Sequence, residues 1–84
     1  MPTLSVCMIV KNEEKHLKNA LTSIKNLADE IIIVDTGSTD NTKEIASTFT
    51  QKIYDYAWND NFAEARNFSL HHATSDWILV LDAD

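Results

Sequence analysis

The sequence predicts an α/β fold in which helices flank a parallel, Rossmann-like sheet. Apolar runs rich in β-branched residues occur at 4–10, 31–34 and 77–81, each suited to a central strand buried on both faces. Parts of the segments between them carry apolar residues at the three- and four-residue spacing of amphipathic helices. Such alternation of strand and helix along a chain is typical of parallel sheets.

The first helix is expected directly after the first strand. Asn12 is placed to cap it, and Glu13 and Glu14 then fall in its first turn, where the helix dipole favours negative charge. The apolar stripe of this helix is Leu17, Leu21, Ile24 and Ala28. This spacing indicates a helix that covers one face of the sheet.

Turn and cap residues predict the remaining elements. Gly37, the only glycine, lies in a turn after the second strand, and Asp40 is placed to cap the helix beyond it.

Residues 52–56 alternate well enough for a short, less buried strand. Asn61 with Glu64 resembles a capping box that opens a third helix, which ends near Ala73. The apolar positions are Ile45, Ala46 and Phe49 in the second helix, and Phe62, Ala65 and Phe68 in the third.

Ligands of parallel α/β sheets bind at the carboxyl ends of the strands. The polar residues there are 11–13 after the first strand, Asp35 after the second, and Asp82 and Asp84 after the fourth. Because the most apolar strand comes last, with nothing after it to cover it, we expect residues 1–84 to form one part of a longer domain.

Composition excludes several classes of protein. A net charge of -6 disfavours nucleic acid as a partner, and no apolar run approaches the ~20 residues that a membrane span needs. The lone Cys7 cannot form an internal disulfide, and the first residues lack a signal-peptide pattern, which together predict a cytoplasmic setting. With one glycine, neither a G-x-G-x-x-G motif nor a P-loop can form, so dinucleotide dehydrogenases and Walker-type NTPases are excluded.

Asp82 and Asp84 flank one residue at the end of the fourth strand. In an extended backbone such residues project to the same side, ~6.6 Å apart at Cα, so their carboxylates can share one cation. Mg²⁺ or Mn²⁺ suits them, being hard and oxygen-seeking. The spacing alone arises readily by chance in a chain this rich in aspartate, and the position at a strand end is what favours a metal site.

Three other charged residues have both a functional and a plain interpretation. Asp35 precedes a glycine turn and a helix start, where a carboxylate can accept hydrogen bonds from a base or ribose, yet Asp is also a common turn residue. Asp40 is most simply a helix cap. Arg66 on the third helix could reach a base or phosphate as a forked donor, or could lie on a solvated helix face.

Cysteine and histidine give no separate site. Cys7 lies within a predicted buried strand and is interpreted as a core residue. His71 and His72 are adjacent, so on a helix they point ~100° apart and do not form the i, i+4 pair typical of zinc sites.

Four segments together resemble glycosyltransferase family 2. Residues 5–14 (SVCMIVKNEE) are similar to the family's opening strand and its Asn-Glu turn, and 33–40 (IVDTGSTD) to its V-D-D-G-S-x-D segment. Residues 65–67 (ARN) match its A-R-N helix, and 77–84 (WILVLDAD) the strand that ends in its D-x-D motif. Their order and spacing cover nearly the whole chain.

The resemblance implies the amino-terminal half of a GT-A domain in an inverting enzyme that takes a nucleotide diphosphate sugar, most often UDP-linked, with Mn²⁺ or Mg²⁺. The residues that would contact the nucleotide are Val10, Lys11, Glu13, Asp35, Arg66 and Asp82, and those that would bind the metal are Asp82 and Asp84. The family's catalytic base lies beyond the D-x-D, so no catalytic residue is assigned in this chain, and residues 1–84 alone are expected to be inactive.

Two positions depart from the usual family pattern. Thr36 stands where a second Asp is usual, and Lys11 where a Tyr is common. The variant is similar to a bacterial subgroup that includes lipopolysaccharide-core and peptide S-glycosylating enzymes, which leaves saccharide, lipid and peptide acceptors open. The cytoplasmic setting includes the inner face of the membrane for a longer protein.

Three alternatives to the enzyme make different demands on the sequence. A receiver-type signalling module needs an acidic pair after the first strand and an Asp after the third, where the sequence is expected to end the strand in 56–58 (YAW) without a carboxylate. A sugar nucleotidyltransferase needs a glycine-rich loop after the first strand, which 10–12 (VKN) cannot supply. A non-catalytic nucleotide- and metal-binding module stays open. The GT-A strand order that the resemblance implies sets the fourth strand beside the first, so the other edge of 77–81 is unpaired in this chain, which predicts self-association.

Overall fold

A computed structural model of the chain describes residues 2–57 and 61–82, and at positions 62 and 82 it describes the backbone alone. Strands and helices alternate in the order β1 Leu4–Val10, α1 Leu17–Ile24, β2 Glu30–Asp35, α2 Thr42–Ser47, β3 Ile53–Asp55, α3 Phe62–His71 and β4 Trp77–Asp82. None of the helices within these ranges is long and apolar enough to cross a bilayer. The predicted α/β alternation is confirmed.

The strands form one parallel sheet in the order β3-β2-β1-β4. In the register of the sheet, Val10 lies opposite Asp35 on one side of β1, and Ile9 lies opposite Asp82 on the other. The order reverses at β1, as in Rossmann folds, and ligands of such sheets bind beside the carboxyl ends of the strands at the reversal. Receiver domains place β3, not β4, beside β1, so this strand order excludes the receiver alternative.

The core lies on both faces of β1. One face carries Val6, Met8 and Val10, which pack with the fully buried Leu17 and Leu21 of α1. Truncating a leucine buried in this way typically costs about 2 to 5 kcal/mol. The predicted stripe of α1 is therefore confirmed for Leu17, Leu21 and Ile24, whereas Ala28 packs against the core from beyond the end of the helix.

The opposite face is covered by α3. Cys7 of β1 is fully buried there with Ile32 and Val34, and Phe68 of α3 packs against them. The Cys7 Sγ lies 3.7 Å from the carbonyl oxygen of Ser69, and burial raises the pKa of this thiol. Cys7 is a core residue, as predicted.

The start of α1 differs from the prediction. The helix begins at Leu17, its cap residue His16 makes no side-chain cap hydrogen bond, and no acidic residue lies in its first turn. Asn12 has a left-handed backbone with φ 52°, and its side chain accepts a hydrogen bond from the backbone N–H of Thr39. The prediction that Asn12 caps this helix, with Glu13 and Glu14 in its first turn, is therefore wrong. The side-chain oxygen of Asn12 is bonded to the loop after β2 instead.

Of the other two predicted caps, Asn61 is confirmed, and Asp40 is wrong by one residue. The Asp40 Oδ1 accepts from the backbone N–H of Thr42 at 2.9 Å, although the cap position of α2 is Asn41. At α3 the side chain of Asn61 accepts from the N–H of Glu64 at 3.2 Å, which confirms the predicted cap. The helix ends at His71, two residues before the predicted end.

The two outer strands differ from each other. β3 covers three residues within the predicted 52–56 and ends at Asp55, so the expectation that no carboxylate ends this strand is wrong. In β4, Trp77 is 67% exposed, and Ile78 and Leu79 are each 43% exposed. Burial of both faces is therefore wrong for β4, which lies at the edge of the sheet and pairs only with β1 among the described residues.

Candidate functional site

Asp35 ends β2 and is the best-defined polar residue of the carboxyl edge. Its side chain is almost fully buried, with the residue 2% exposed. Oδ1 accepts from the backbone N–H groups of Gly37 at 2.8 Å and Ser38 at 2.7 Å. Gly37 has φ 108°, a conformation that glycine adopts without strain. The turn that the sequence predicted therefore fixes one oxygen of this carboxylate.

The other oxygen of Asp35, Oδ2, is buried and has no hydrogen-bond partner among the residues that the structure describes. Buried polar atoms are nearly always paired, because a lost hydrogen bond there costs about 1 to 3 kcal/mol. An acceptor held in this way at the ligand edge fits a hydrogen-bond donor from a bound molecule. The interpretation of Asp35 as a mere turn residue explains Oδ1 and leaves Oδ2 unexplained.

One lysine supplies positive charge beside Asp35. Asp55 of β3 lies directly opposite Asp35 in the sheet, and it forms an ion pair with Lys43 of α2. The hydrogen bond from Lys43 to Asp55 is the main cause that raises the pKa of Lys43, and the charges of Asp55 and Asp35 add to it. Lys43 therefore offsets the repulsion between the two carboxylates.

The residues after β1 form the neighbouring part of this edge. The Val10 side chain belongs to the core, and its carbonyl accepts from both the N–H and the hydroxyl of Thr36, at 3.0 and 3.2 Å. Thr36, where the family usually has a second Asp, is buried and bonds to the adjacent strand. Lys11 is exposed and Glu13 is half-buried. Among these residues, Lys11 has the most freely accessible side chain.

Asn12 and Thr42, which are not among the predicted nucleotide or metal contacts, join the loop after β1 to the loop after β2. The backbone N–H of Asn12 donates to Ser38 Oγ at 2.9 Å, and Asn12 Oδ1 accepts from the N–H of Thr39 at 2.8 Å. The buried Thr42 hydroxyl accepts from the N–H of Glu13 at 2.8 Å. Only the affinity of asparagine for left-handed backbone hinted at this role in the sequence.

Asp40 completes the connection between the two loops. Its carboxylate accepts from the N–H and hydroxyl of Thr42 and, at 3.4 Å, from the N–H of Glu14. The Thr42 hydroxyl is the main cause that holds the pKa of Asp40 below its usual range. In return, Glu14 accepts from the N–H of Asn41 at 3.2 Å. Asp40 thus holds the two loops together and accepts a hydrogen bond from the first N–H of α2.

The remaining predicted residues lie around this edge without a described contact to Asp35. Arg66 is exposed on α3, one turn before the Ser69 carbonyl that faces the middle of β1. Because α3 runs back against the strands, Arg66 lies towards their carboxyl ends. Asp82 ends β4, with its side chain outside the described atoms, and Asp84 lies outside the described residues.

The structure therefore leaves the expected metal pair untested. Among the side chains that the structure describes, which do not include those of Asp82 and Asp84, no three acidic, histidine or cysteine groups gather closely enough to hold an ion. The backbone of Asp82 does reach the carboxyl edge, opposite Ile9 of β1. That position is the one in which the D-x-D resemblance leads us to expect a metal ligand, and the expectation stays a prediction.

A cavity of about 560 Å³ lies at the opposite, amino-terminal edge of the sheet. Its central carboxylate, Glu30, accepts hydrogen bonds from Ser5, Lys52 and Thr74. Both oxygens of Glu30 are thereby paired, whereas Asp35 keeps one oxygen free of described partners. The carboxyl edge is the better candidate for a binding site.

The sheet order and the buried Asp35 at its carboxyl edge define a Rossmann-like α/β domain with a candidate ligand site, and comparison with known proteins gives the family. The chain matches the model of glycosyl transferase family 2 over residues 5–84 and belongs to that family.

Among its relatives is a TPR repeat-containing protein of Synechococcus elongatus, 48% identical over 84 residues that make up 100% of this chain and 21% of the relative. Another is the SPbeta prophage-derived glycosyltransferase SunS of Bacillus subtilis, 41% identical over 85 residues that cover 99% of this chain and 20% of the relative.

A solved structure shares the fold at a TM-score of 0.83 and 28% identity. It is the glucosyl-3-phosphoglycerate synthase of Mycobacterium tuberculosis in complex with Mg²⁺ and UDP, and the match covers 99% of this chain and 34% of that enzyme. The same enzyme has been solved with Mn²⁺ and UDP-glucose. The chain spans about a fifth of the length of the two curated relatives and about a third of the solved enzyme.

Proposed function

We propose that this chain is the nucleotide-sugar-binding part of a glycosyltransferase that uses a UDP-linked sugar. The observation that carries the proposal is the buried, unpartnered Oδ2 of Asp35 at the carboxyl edge of the sheet. UDP bound to the structurally similar mycobacterial enzyme supports the choice of nucleotide.

The chemistry of the base favours uracil. A carboxylate oxygen accepts hydrogen bonds only, so it pairs with a ring N–H such as the imide of uracil. Cytosine and adenine present a bare ring nitrogen at the corresponding position, which would face Asp35 Oδ2 as a second acceptor. Guanine also carries a ring N–H, and uracil is preferred over it because of the UDP-bound relative.

The other nucleotide contacts are assigned by family resemblance. We propose that Lys11 and Glu13 lie beside the nucleoside, with Val10 contributing through its backbone because its side chain is in the core. Arg66 would approach the base from α3, and Asp82 the ribose or metal.

A divalent cation, Mn²⁺ or Mg²⁺, would be held by Asp82 and Asp84, as the metal-bound relative suggests. When bound, it would stabilise the negative charge that develops on the departing diphosphate. The residues of this chain bind and orient the nucleotide. The acceptor, the base that deprotonates it and inversion at the sugar carbon belong to residues not assigned within 1–84.

This division of labour sets the expected behaviour of residues 1–84 alone. They would bind a nucleotide diphosphate weakly and transfer no sugar, because the acceptor and its base belong to other residues. A positioned general base alone typically contributes ~10² to 10⁴ in rate. A cytoplasmic setting in a bacterium fits the single reduced Cys7 and the bacterial relatives. A non-catalytic nucleotide-binding module has no observation that favours it.

Calorimetric titration of the full-length protein with UDP, GDP, CDP and ADP, each with Mn²⁺, tests the proposal. We expect UDP to bind most tightly of the four. In a separate activity assay, we expect release of UDP from a UDP-sugar to require Mn²⁺. Equal affinity for all four nucleotides, or no binding of any of them, would contradict it.

A further inference from the structure

We propose that Asn12 is a positioning residue of the nucleotide site. It fastens the loop after β1 to the loop after β2 and so holds Asp35 ready for the base before any nucleotide arrives. This inference rests on the function proposed above.

The conformation of Asn12 points to this role. Its φ of 52° makes it the one non-glycine residue with a positive φ among those that the structure describes. Asparagine tolerates this conformation better than most residues, at a modest cost. The conformation lets the N–H and side-chain oxygen of the same residue both reach the second loop, where they meet Ser38 and Thr39.

Ser38 carries the effect to Asp35. Its hydroxyl accepts from the N–H of Asn12 at 2.9 Å, and its own N–H donates to Asp35 Oδ1 at 2.7 Å. Because Oδ1 is held, the direction of the unpartnered Oδ2 is set as well. No described hydrogen bond joins Asn12 to Asp35 directly, so Asn12 acts through the loop.

A second connection keeps the loops together without the Asn12 amide. The Thr42 hydroxyl receives the N–H of Glu13 and donates to Asp40. Removing the Asn12 side chain should therefore loosen the loop around Asp35 without opening the fold. A ligand that must first order this loop binds more weakly, since the ordering entropy is subtracted from its affinity.

The substitution Asn12→Gly removes the side chain, and glycine adopts the left-handed backbone without strain. In the full-length protein with Mn²⁺ we expect the affinity for UDP to fall about 5- to 10-fold, the value of one or two lost hydrogen bonds. Asn26→Gly, the same change at an exposed position between α1 and β2, serves as control and should leave the affinity unchanged.

Amide hydrogen exchange without nucleotide separates positioning from general destabilisation. In Asn12→Gly the N–H groups of Gly37 and Ser38, whose own acceptor on Asp35 is intact, should exchange about fivefold faster. Those of Cys7 and Ile32 in the core should not change. Asn12→Asp retains the acceptor for Thr39 and should restore slow exchange.

Unchanged exchange at Gly37 and Ser38, or equal acceleration of loop and core, would overturn the role of Asn12, as would an unaltered affinity for UDP. Failure of the proposed function has a different signature. The wild-type protein would then bind no UDP even though the two loop amides respond to Asn12→Gly, and that result overturns both proposals.

Discussion

Replacing Glu30 by glutamine should lower the free energy of unfolding at neutral pH by about 1 to 2 kcal/mol. Glu30 begins β2, and its buried carboxylate accepts from Ser5 Oγ at 2.7 Å in β1 and from the N–H and hydroxyl of Thr74, at 3.0 and 3.1 Å, just before β4. Lys52, just before β3, forms an ion pair with the same carboxylate. One side chain thus joins the amino ends of all four strands.

The magnitude follows from the pKa of Glu30. Burial alone would raise it, but the hydrogen bonds from Lys52, Ser5 and Thr74 more than compensate and lower it from 4.5 to about 2. By linkage that lowering corresponds to roughly 3 kcal/mol. Because the Lys52 side chain is 47% exposed, solvent screens its charge, and we expect about half of this value.

The sign of the pH dependence is fixed by the direction of the shift. A carboxyl group whose pKa is lowered on folding stabilises the protein above its unfolded value, here 4.5, and the stabilisation is lost as the pH falls towards about 2. More than half of the difference between wild type and Glu30→Gln should therefore have gone by about pH 3.

Urea unfolding at pH 7 and at pH 3 measures this difference. Glu44→Gln, which removes an exposed glutamate on α2, is the matched control and should change stability by less than about 0.5 kcal/mol. A difference between wild type and Glu30→Gln that stays constant from pH 7 to pH 3 would refute the reasoning, because it would show that ionisation of Glu30 contributes nothing.

Three further predictions concern the metal, the sheet edge and a helix cap. Asp84→Asn should abolish the dependence of UDP binding on Mn²⁺ in the full-length protein, and an unchanged dependence would locate the metal elsewhere. The 84-residue chain should self-associate through the edge of β4, where Trp77 is exposed, so a monomeric mass by light scattering at high micromolar concentration would contradict this. Asn61→Ala should lower the stability by about 1 kcal/mol in urea unfolding, while Asn61→Asp, which keeps the acceptor for Glu64, should not, and equal midpoints for the two variants would exclude a cap contribution.

The sequence predicts most of the fold because its strands are distinct in composition. The bounds of β1 agree with the predicted run, and the core-facing residues Leu17, Leu21 and Ile24 agree with the helical spacing. Burial of β4 could not be predicted from the same signal, since an apolar run indicates that a strand will be covered without saying which chain segment covers it.

The candidate site is predictable in part. Asp35 can be found from its place between a buried strand and a glycine turn, because both features are local. The left-handed Asn12 and the unpartnered Oδ2 of Asp35 depend on how two loops meet about 26 residues apart in sequence. Local propensity instead favours Asn12 as a helix cap, and a tertiary hydrogen bond overrides it.

The most direct test of the nucleotide site is the relative affinity of the full-length protein for UDP and CDP in Asp35→Asn. The amide oxygen should keep the bonds to Gly37 and Ser38, which leaves an NH₂ donor where Oδ2 was. We expect UDP affinity to fall roughly 10- to 100-fold, since a hydrogen bond to a charged group is worth about 1.5 to 3 kcal/mol. CDP, whose ring nitrogen accepts, should gain affinity relative to UDP.

In Asp76→Asn, the same change at the opposite edge of the sheet, the ratio of UDP to CDP affinity should stay as in the wild type. An unchanged ratio of UDP to CDP affinity in Asp35→Asn would contradict the assignment of Asp35 as the residue that receives the base.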